Sequence, residues 1–372
     1  MDKNLEDVIG AQMKAGDYPD VVHLALGREA GLTETMIKDK AITDISDVLD
    51  ATIPGEDGTV KDKLTPGIES SNATMPYGDG KLYLAPMFYS PTGFFYNAGL
   101  LKEKGWEVPT TWDEMWALGD KAKAEGIYLF AYPTAGYFDA IFYALCYEAG
   151  GQEFFDKVSS YEEGVWDSKE GKQVYSILSK IAQYTDPVVP AQANKTDFTK
   201  NQQLVLDNKA VFMPNGTWVV GEMEEAPRAE GFEWGMMALP ALKDGGDSYA
   251  YTFIEEAWVP AKAKNVDAAK QFIAFLYSDE AVKAFSSTSS PAFQPVNDIL
   301  NYMDDTNKVF YSVYDEGAKA GVGNMVSTDS TVNWKEAYLF PMDSAVSGSI
   351  TEKEWLAKAK DANDKLREAI VK

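Results

Sequence analysis

The chain has 372 residues and a formal net charge of −24, with 34 Lys and Arg against 58 Asp and Glu. Such acidity repels phosphate backbones, and no basic patch offsets it, so nucleic-acid binding is excluded as a reading. One Cys (Cys146) and one His (His23) rule out an internal disulfide, a Cys-rich metal site and His-based zinc centres, and no metal or cofactor is expected. Phosphate-loop, nucleophile-elbow and calcium-loop motifs are also absent from the sequence. An enzyme built from this chain would depend on carboxylates, Lys or Tyr for acid-base work.

In chain order, Asn4–Lys14 carries Leu5, Val8, Ile9 and Met13 at helical spacing, ended by Gly16. That apolar face is expected to pack on a sheet. Val21–Leu24 reads as a buried strand with neighbours on both sides. A turn-rich stretch follows, then a strand over Leu82–Met87, a second extended stretch over Thr92–Tyr96 and a short helical turn over Asn97–Lys104. Thr111 and Glu114 form a capping box for a helix that ends at Gly126. Ile127–Ala131 is a buried strand, and Tyr137–Ala149 a helix stopped by Gly150-Gly151. Helices are predicted over Lys169–Gln183, over Asp197–Leu206 and from about Thr217. Strands are predicted at Ala210–Met213 and Glu233–Met237. Asn265 is expected to cap a helix whose core face holds Ala268, Ala269, Phe272, Ile273 and Leu276, and Glu352–Ile370 is an amphipathic helix. Helices alternating with short buried strands make an α/β fold.

Five of these pieces resemble one family. They are the Gly16–Val22 turn and strand around Pro19-Asp20-Val21, Asp79–Pro86, Phe95-Tyr96-Asn97 with Leu100-Leu101-Lys102, Pro109–Glu114, and Asn265–Asp279. Together and in this order they resemble the sugar-binding, maltose-binding-protein-like solute-binding proteins of ABC importers. The resemblance implies a two-lobe periplasmic-binding-protein-like fold with a hinge and an interlobe ligand cleft. It implies crossings near Phe94–Asn97 and Thr252–Pro260, with a return after about Pro295. The lobes would be 1–95 plus 256–295 and 96–255 plus 296–372. The family's opening strand-helix-strand is missing here, so a longer native chain with a lipoprotein signal upstream is expected. A shortened family member is the alternative. The 372-residue form would then have a reduced first lobe, monomeric unless the missing segment drives pairing with another chain.

The implied function is non-catalytic. The protein would bind a carbohydrate, as an oligosaccharide, and deliver it to ABC-transporter permease subunits. It would work outside the cytoplasmic membrane, lipid-anchored or periplasmic. A carboxylate-dependent glycosidase or lyase and a receptor for a non-sugar solute are the alternatives.

Sugars are held by aromatic faces against their C–H surfaces and by planar polar groups on their hydroxyls. The candidate ligand residues are therefore Trp218, Tyr137, Phe138 and Trp334 as aromatics, with Tyr338 the rival of Trp334. Tyr89, Ser90, Glu255, Glu256, Gln294 and Arg28 are the polar candidates. Glu255 and Glu256 stand out as carboxylates inside the apolar run Phe253–Val259, where charge is costly to bury. His23 and Cys146 are read as packing residues, and Glu222, Glu224 and Glu225 as a helix face in water.

Overall fold

The computed structural model describes residues 5–28, 31–288, 291–325 and 332–371. Asn4, the expected start of the first helix, and Thr331, beside Trp334 in its motif, lie outside the described residues. Among the described residues seven strands run β1 (Val22–His23), β2 (Ala85–Asn97), β3 (Tyr128–Phe130), β4 (Ala210–Gly216), β5 (Trp234–Met237), β6 (Tyr249–Trp258) and β7 (Lys319–Gly321). Helices occupy most of the intervening chain, giving the expected α/β class.

The chain divides into two units. The first comprises Met1–Ser90, Thr252–Asp304 and Val322–Val326; the second comprises Pro91–Tyr251, Asp305–Gly321 and Ser327–Lys372. Both units are discontinuous because β2 passes from one to the other at Ser90-Pro91, and β6 does so at Tyr251-Thr252.

In the first unit, β1 pairs antiparallel with β6, Val22 opposite Trp258 and His23 opposite Ala257. Among the described residues β6 is its one strand neighbour, so β1 is an edge strand. The helix Leu5–Lys14 packs Met13 and Ile9 against Val22, Leu24, Leu84 and Trp258. Leu5 and Val8 are exposed, contrary to the expected apolar face. The reason is Glu6, which is buried and accepts the Leu32 N–H at 3.1 Å, turning that side of the helix inward.

One further expectation fails in this unit and a second holds only in part. Asn265 makes no side-chain cap; its amide donates to Asp20 Oδ2 at 2.8 Å, while Asp20 Oδ1 accepts the N–H groups of Lys264 and Asn265. Thus Asp20 does the satisfying from 245 residues away. The helix Val266–Phe275 buries Ala269, Ile273 and Ala274 and leaves Phe272 half exposed.

The second unit is built on β2 pairing antiparallel with both β4 and β5, and on β3 running parallel to β4. β7 adds to the start of β6 in parallel. Phe94, Phe130 and Phe212 converge between these strands, with Trp112 set edge-on to Phe94 at 6.0 Å. The helix Trp112–Ala124 is capped by Thr111, which accepts the Glu114 N–H at 3.3 Å, but the Glu114 carboxylate takes the Thr110 N–H and hydroxyl instead, so the expected capping box is half formed. Residues Ala135–Phe138 form a short 3₁₀ turn, and the following helix runs Asp139–Ser159. Gly150-Gly151 kinks that helix and does not end it, Gly151 taking a φ of 67° that other residues resist.

Candidate functional site

In α/β units, ligands collect outside the carboxyl ends of parallel strands, where loops leave the sheet. In the second unit these are the ends of β3 and β4. β3 leads through Pro133 and Thr134 into the 3₁₀ turn carrying Tyr137, and β4 leads through Thr217 to Trp218. Two residues singled out from sequence therefore leave adjacent strands on the same side.

They meet there. The Trp218 indole N–H donates to the Tyr137 hydroxyl. That hydroxyl donates in turn to Glu222 Oε1 at 3.0 Å, and Gln202 Nε2 donates to Glu222 Oε2 at 2.6 Å. The Trp218 ring lies over Gly216, where a methyl group would come within 2.2 Å of it. The Tyr137 ring stacks on Phe198 with centroids 6.3 Å apart and planes 28° apart. Phe340, 41% exposed, borders the same turn beside Gly136. Trp218 is 37% exposed, and Tyr137 is half-buried. Burial first, then the Glu222 carboxylate, pushes the Tyr137 hydroxyl above its ordinary range, so it stays protonated and donates.

Charged groups nearby in sequence are already engaged. Asp139 pairs with Lys335. Tyr132 donates to Asp343 Oδ1 at 2.6 Å, and burial raises the Asp343 carboxyl against that bond. The surface thus offers apolar ring faces with carboxylate oxygens beside them.

The other two aromatic candidates belong to the core. Phe138 is 1% exposed and sets its ring edge-on to Tyr132 at 5.0 Å. Trp334 is 3% exposed, wedged among Phe142, Tyr143 and Tyr338, and its rival Tyr338 is fully buried. Trp334 is drawn inward because the helix Asp139–Ser159 presents Phe142 and Tyr143 to it.

The polar candidates lie in the first unit. Glu256 is buried, and its Oε2 accepts the Leu26 N–H at 3.1 Å; backbone bonding explains its place in the apolar run. Glu255 is half-exposed and faces the His23 imidazole at 3.3 Å. His23 sits edge-on to Phe88 at 5.2 Å, and burial lowers its pKa while Glu255 opposes this. Gln294 is fully buried and donates to the Leu276 carbonyl at 3.1 Å, so it does not face a surface. Arg28 points its exposed guanidinium at Glu6, 3.8 Å away. Tyr89 is half-buried, with its backbone N–H on the Phe293 carbonyl, and Ser90 is buried.

Sequence reasoning missed Glu222, Gln202, Phe198 and Phe340. Glu222 is exposed, as expected of that helix face, but its bonds to Tyr137 and Gln202 were not foreseen. Its position four residues after Trp218 was the available signal, since such residues share a helix face. Gln202 and Phe198 carried none, because they reach the site from a separate helix, Phe198–Leu206.

Comparison with known proteins then decides the family. The model of the bacterial extracellular solute-binding proteins matches residues 3–305. The chain belongs to that family. This family consists of substrate-binding receptors of ABC transporters, not enzymes. As a solute-binding protein, the chain is 26% identical over 286 residues to the diacetylchitobiose-binding protein NgcE of Streptomyces coelicolor, 74% of this chain and 60% of that one. It is 25% identical over 291 residues to the maltotriose-binding protein of Pyrococcus abyssi, 75% of this chain and 55% of that one. The solute-binding protein thus spans roughly half to three-fifths of the curated relatives it matches. Its fold matches that of the solute receptor AcbH, described as exclusively preferring β-D-galactopyranose, with a TM-score of 0.74 at 20% identity over 98% of this chain and 89% of that one. It also matches apo RafE from Streptococcus pneumoniae, with a TM-score of 0.70 at 18% identity over 98% and 88%. Among the described residues of this solute-binding protein, no helix is long and apolar enough to cross a membrane, and no group of three acidic, His or Cys residues is placed to hold a metal ion.

Proposed function

We propose that this protein binds a carbohydrate, as an oligosaccharide, on the Trp218–Tyr137 surface and delivers it to the permease of an ABC importer outside the cytoplasmic membrane. The observation that carries the ligand class is the part-exposed Trp218 ring, held by Gly216 and Tyr137 beside the Glu222 carboxylate. An aromatic face suits the C–H side of a pyranose. The relatives named for diacetylchitobiose and maltotriose support a saccharide, and delivery to a permease follows from the role of such receptors.

A thermal-shift panel of galactose, maltotriose and N,N′-diacetylchitobiose tests the reading. A sugar at 100 times its dissociation constant adds about 2.7 kcal/mol of stability. No shift with any sugar, together with a shift from a non-sugar solute, would replace the ligand class. Recovery of the oligosaccharide unchanged after incubation separates a receptor from a glycosidase.

A further inference from the structure

We propose that Glu222 is a positioning residue that fixes the Trp218 ring through the Tyr137 hydroxyl, an assignment whose functional meaning rests on the carbohydrate reading above. Three observations meet in it. Glu222 follows Trp218 by one helical turn, its backbone N–H bonded to the Trp218 carbonyl at 3.0 Å. Its carboxylate reaches back to take the Tyr137 proton at 3.0 Å. Gln202, fully buried, anchors the second carboxylate oxygen at 2.6 Å from a different helix.

The direction of these bonds matters. An indole N–H only donates, whereas a phenol both donates and accepts. With its proton committed to Glu222, the Tyr137 oxygen keeps its lone pair free to accept from Trp218. Removing the carboxylate leaves the phenol proton without that partner. The hydroxyl then rotates toward other acceptors, and the Trp218 N–H loses its fixed acceptor. Gly216 supports the ring from below but, having no side chain, does not set its rotation. A ring already held in one rotamer loses less freedom when a ligand lands on it, which is how a residue away from the ligand raises affinity.

The test begins without ligand. With ¹⁵N-labelled indoles, the Trp218 resonance is identified among the nine Trp by its disappearance in Trp218→Phe. Tyr137→Phe should shift that resonance and speed its hydrogen exchange about tenfold, the loss of one hydrogen bond. Glu222→Ala should move it the same way with Tyr137 intact, while Glu222→Gln, whose amide oxygen still accepts the phenol proton, should stay near wild type. An unmoved resonance in Glu222→Ala overturns the proposal. If Glu222→Ala melts early, Glu222→Asp, whose shorter side chain draws the carboxylate away from the Tyr137 hydroxyl, should shift the Trp218 resonance, and an unmoved resonance there overturns the proposal.

The second arm is calorimetry with maltotriose and N,N′-diacetylchitobiose. Glu222→Ala should weaken binding several-fold in the wild-type background, but less than twofold in Trp218→Phe, which keeps an aromatic face and has no N–H to position. Equal losses in both backgrounds overturn action through Trp218. If neither sugar binds the wild-type protein, the carbohydrate reading falls and so does the positioning role in sugar binding, while the resonance arm still shows whether the hydrogen-bonded relay exists.

Discussion

Glu256 Oε2 accepts the backbone N–H of Leu26 at 3.1 Å, a bond between residues 230 positions apart that ties β6 to the chain leaving β1. Burial raises the Glu256 carboxyl well above its ordinary range, with Glu255 and Glu34 adding repulsion and the Leu26 N–H opposing.

The sign of the resulting pH dependence follows from proton counting. The raised carboxyl binds a proton in the folded state at pH values where the unfolded chain, titrating near ~4.3, has released it. Stability therefore falls as pH rises from the ordinary carboxylate range through the raised value. Glu256→Gln keeps an acceptor for Leu26 and has no proton to lose. Its urea-denaturation stability should gain on wild type as pH rises from 4 to 8. A difference that is constant with pH would contradict this. Glu148, raised in the same direction by burial, leaves a residual slope in the variant.

Trp218→Ala should weaken sugar binding by ~1–3 kcal/mol, the scale of burying an aromatic face. The ring is 37% exposed, so the melting temperature should change little. Calorimetry on the sugar found by the panel gives the number, and an unchanged affinity would remove Trp218 from the site.

Gly216→Ala should be as damaging to binding as loss of the ring itself. The added methyl would stand 2.2 Å from the Trp218 ring, far inside contact distance, so the ring must swing off its support. Crystals or indole resonances of the variant should show Trp218 displaced and affinity reduced. A variant that binds normally would show that the ring's seat on Gly216 is irrelevant.

Trp334→Ala should behave differently from Trp218→Ala. Trp334 is 3% exposed among Phe142, Tyr143 and Tyr338, and such core truncations cost about 3–5 kcal/mol. Denaturant unfolding should show that loss. Full stability with impaired sugar binding would instead return Trp334 to the list of ligand residues.

Much of the chain was legible before folding. The Thr111 cap, the helix Lys169–Gln183 and the strand at Ala210–Met213 lie where local rules put them, since a cap or an amphipathic face is decided by residues within a few positions. Long-range satisfaction was not legible. Asn265 looked like a cap and is instead held by Asp20, and Glu256 looked like a ligand residue and is instead bound to Leu26. In each case the deciding partner lies more than two hundred residues away.

By itself, the sequence determined the α/β class, the family and the choice of Trp218 and Tyr137 as candidates, because element types and family motifs are written in short stretches. The tertiary structure alone decided which neighbouring side chain faces out. In the 3₁₀ turn Ala135–Phe138, successive side chains diverge by about a third of a turn. Tyr137 therefore reaches Trp218 and Glu222 while Phe138, one residue on, goes into the core against Tyr132. Glu222 and Gln202 joined the site for the same reason: packing of separate helices brings their polar ends together, and no local pattern encodes that meeting.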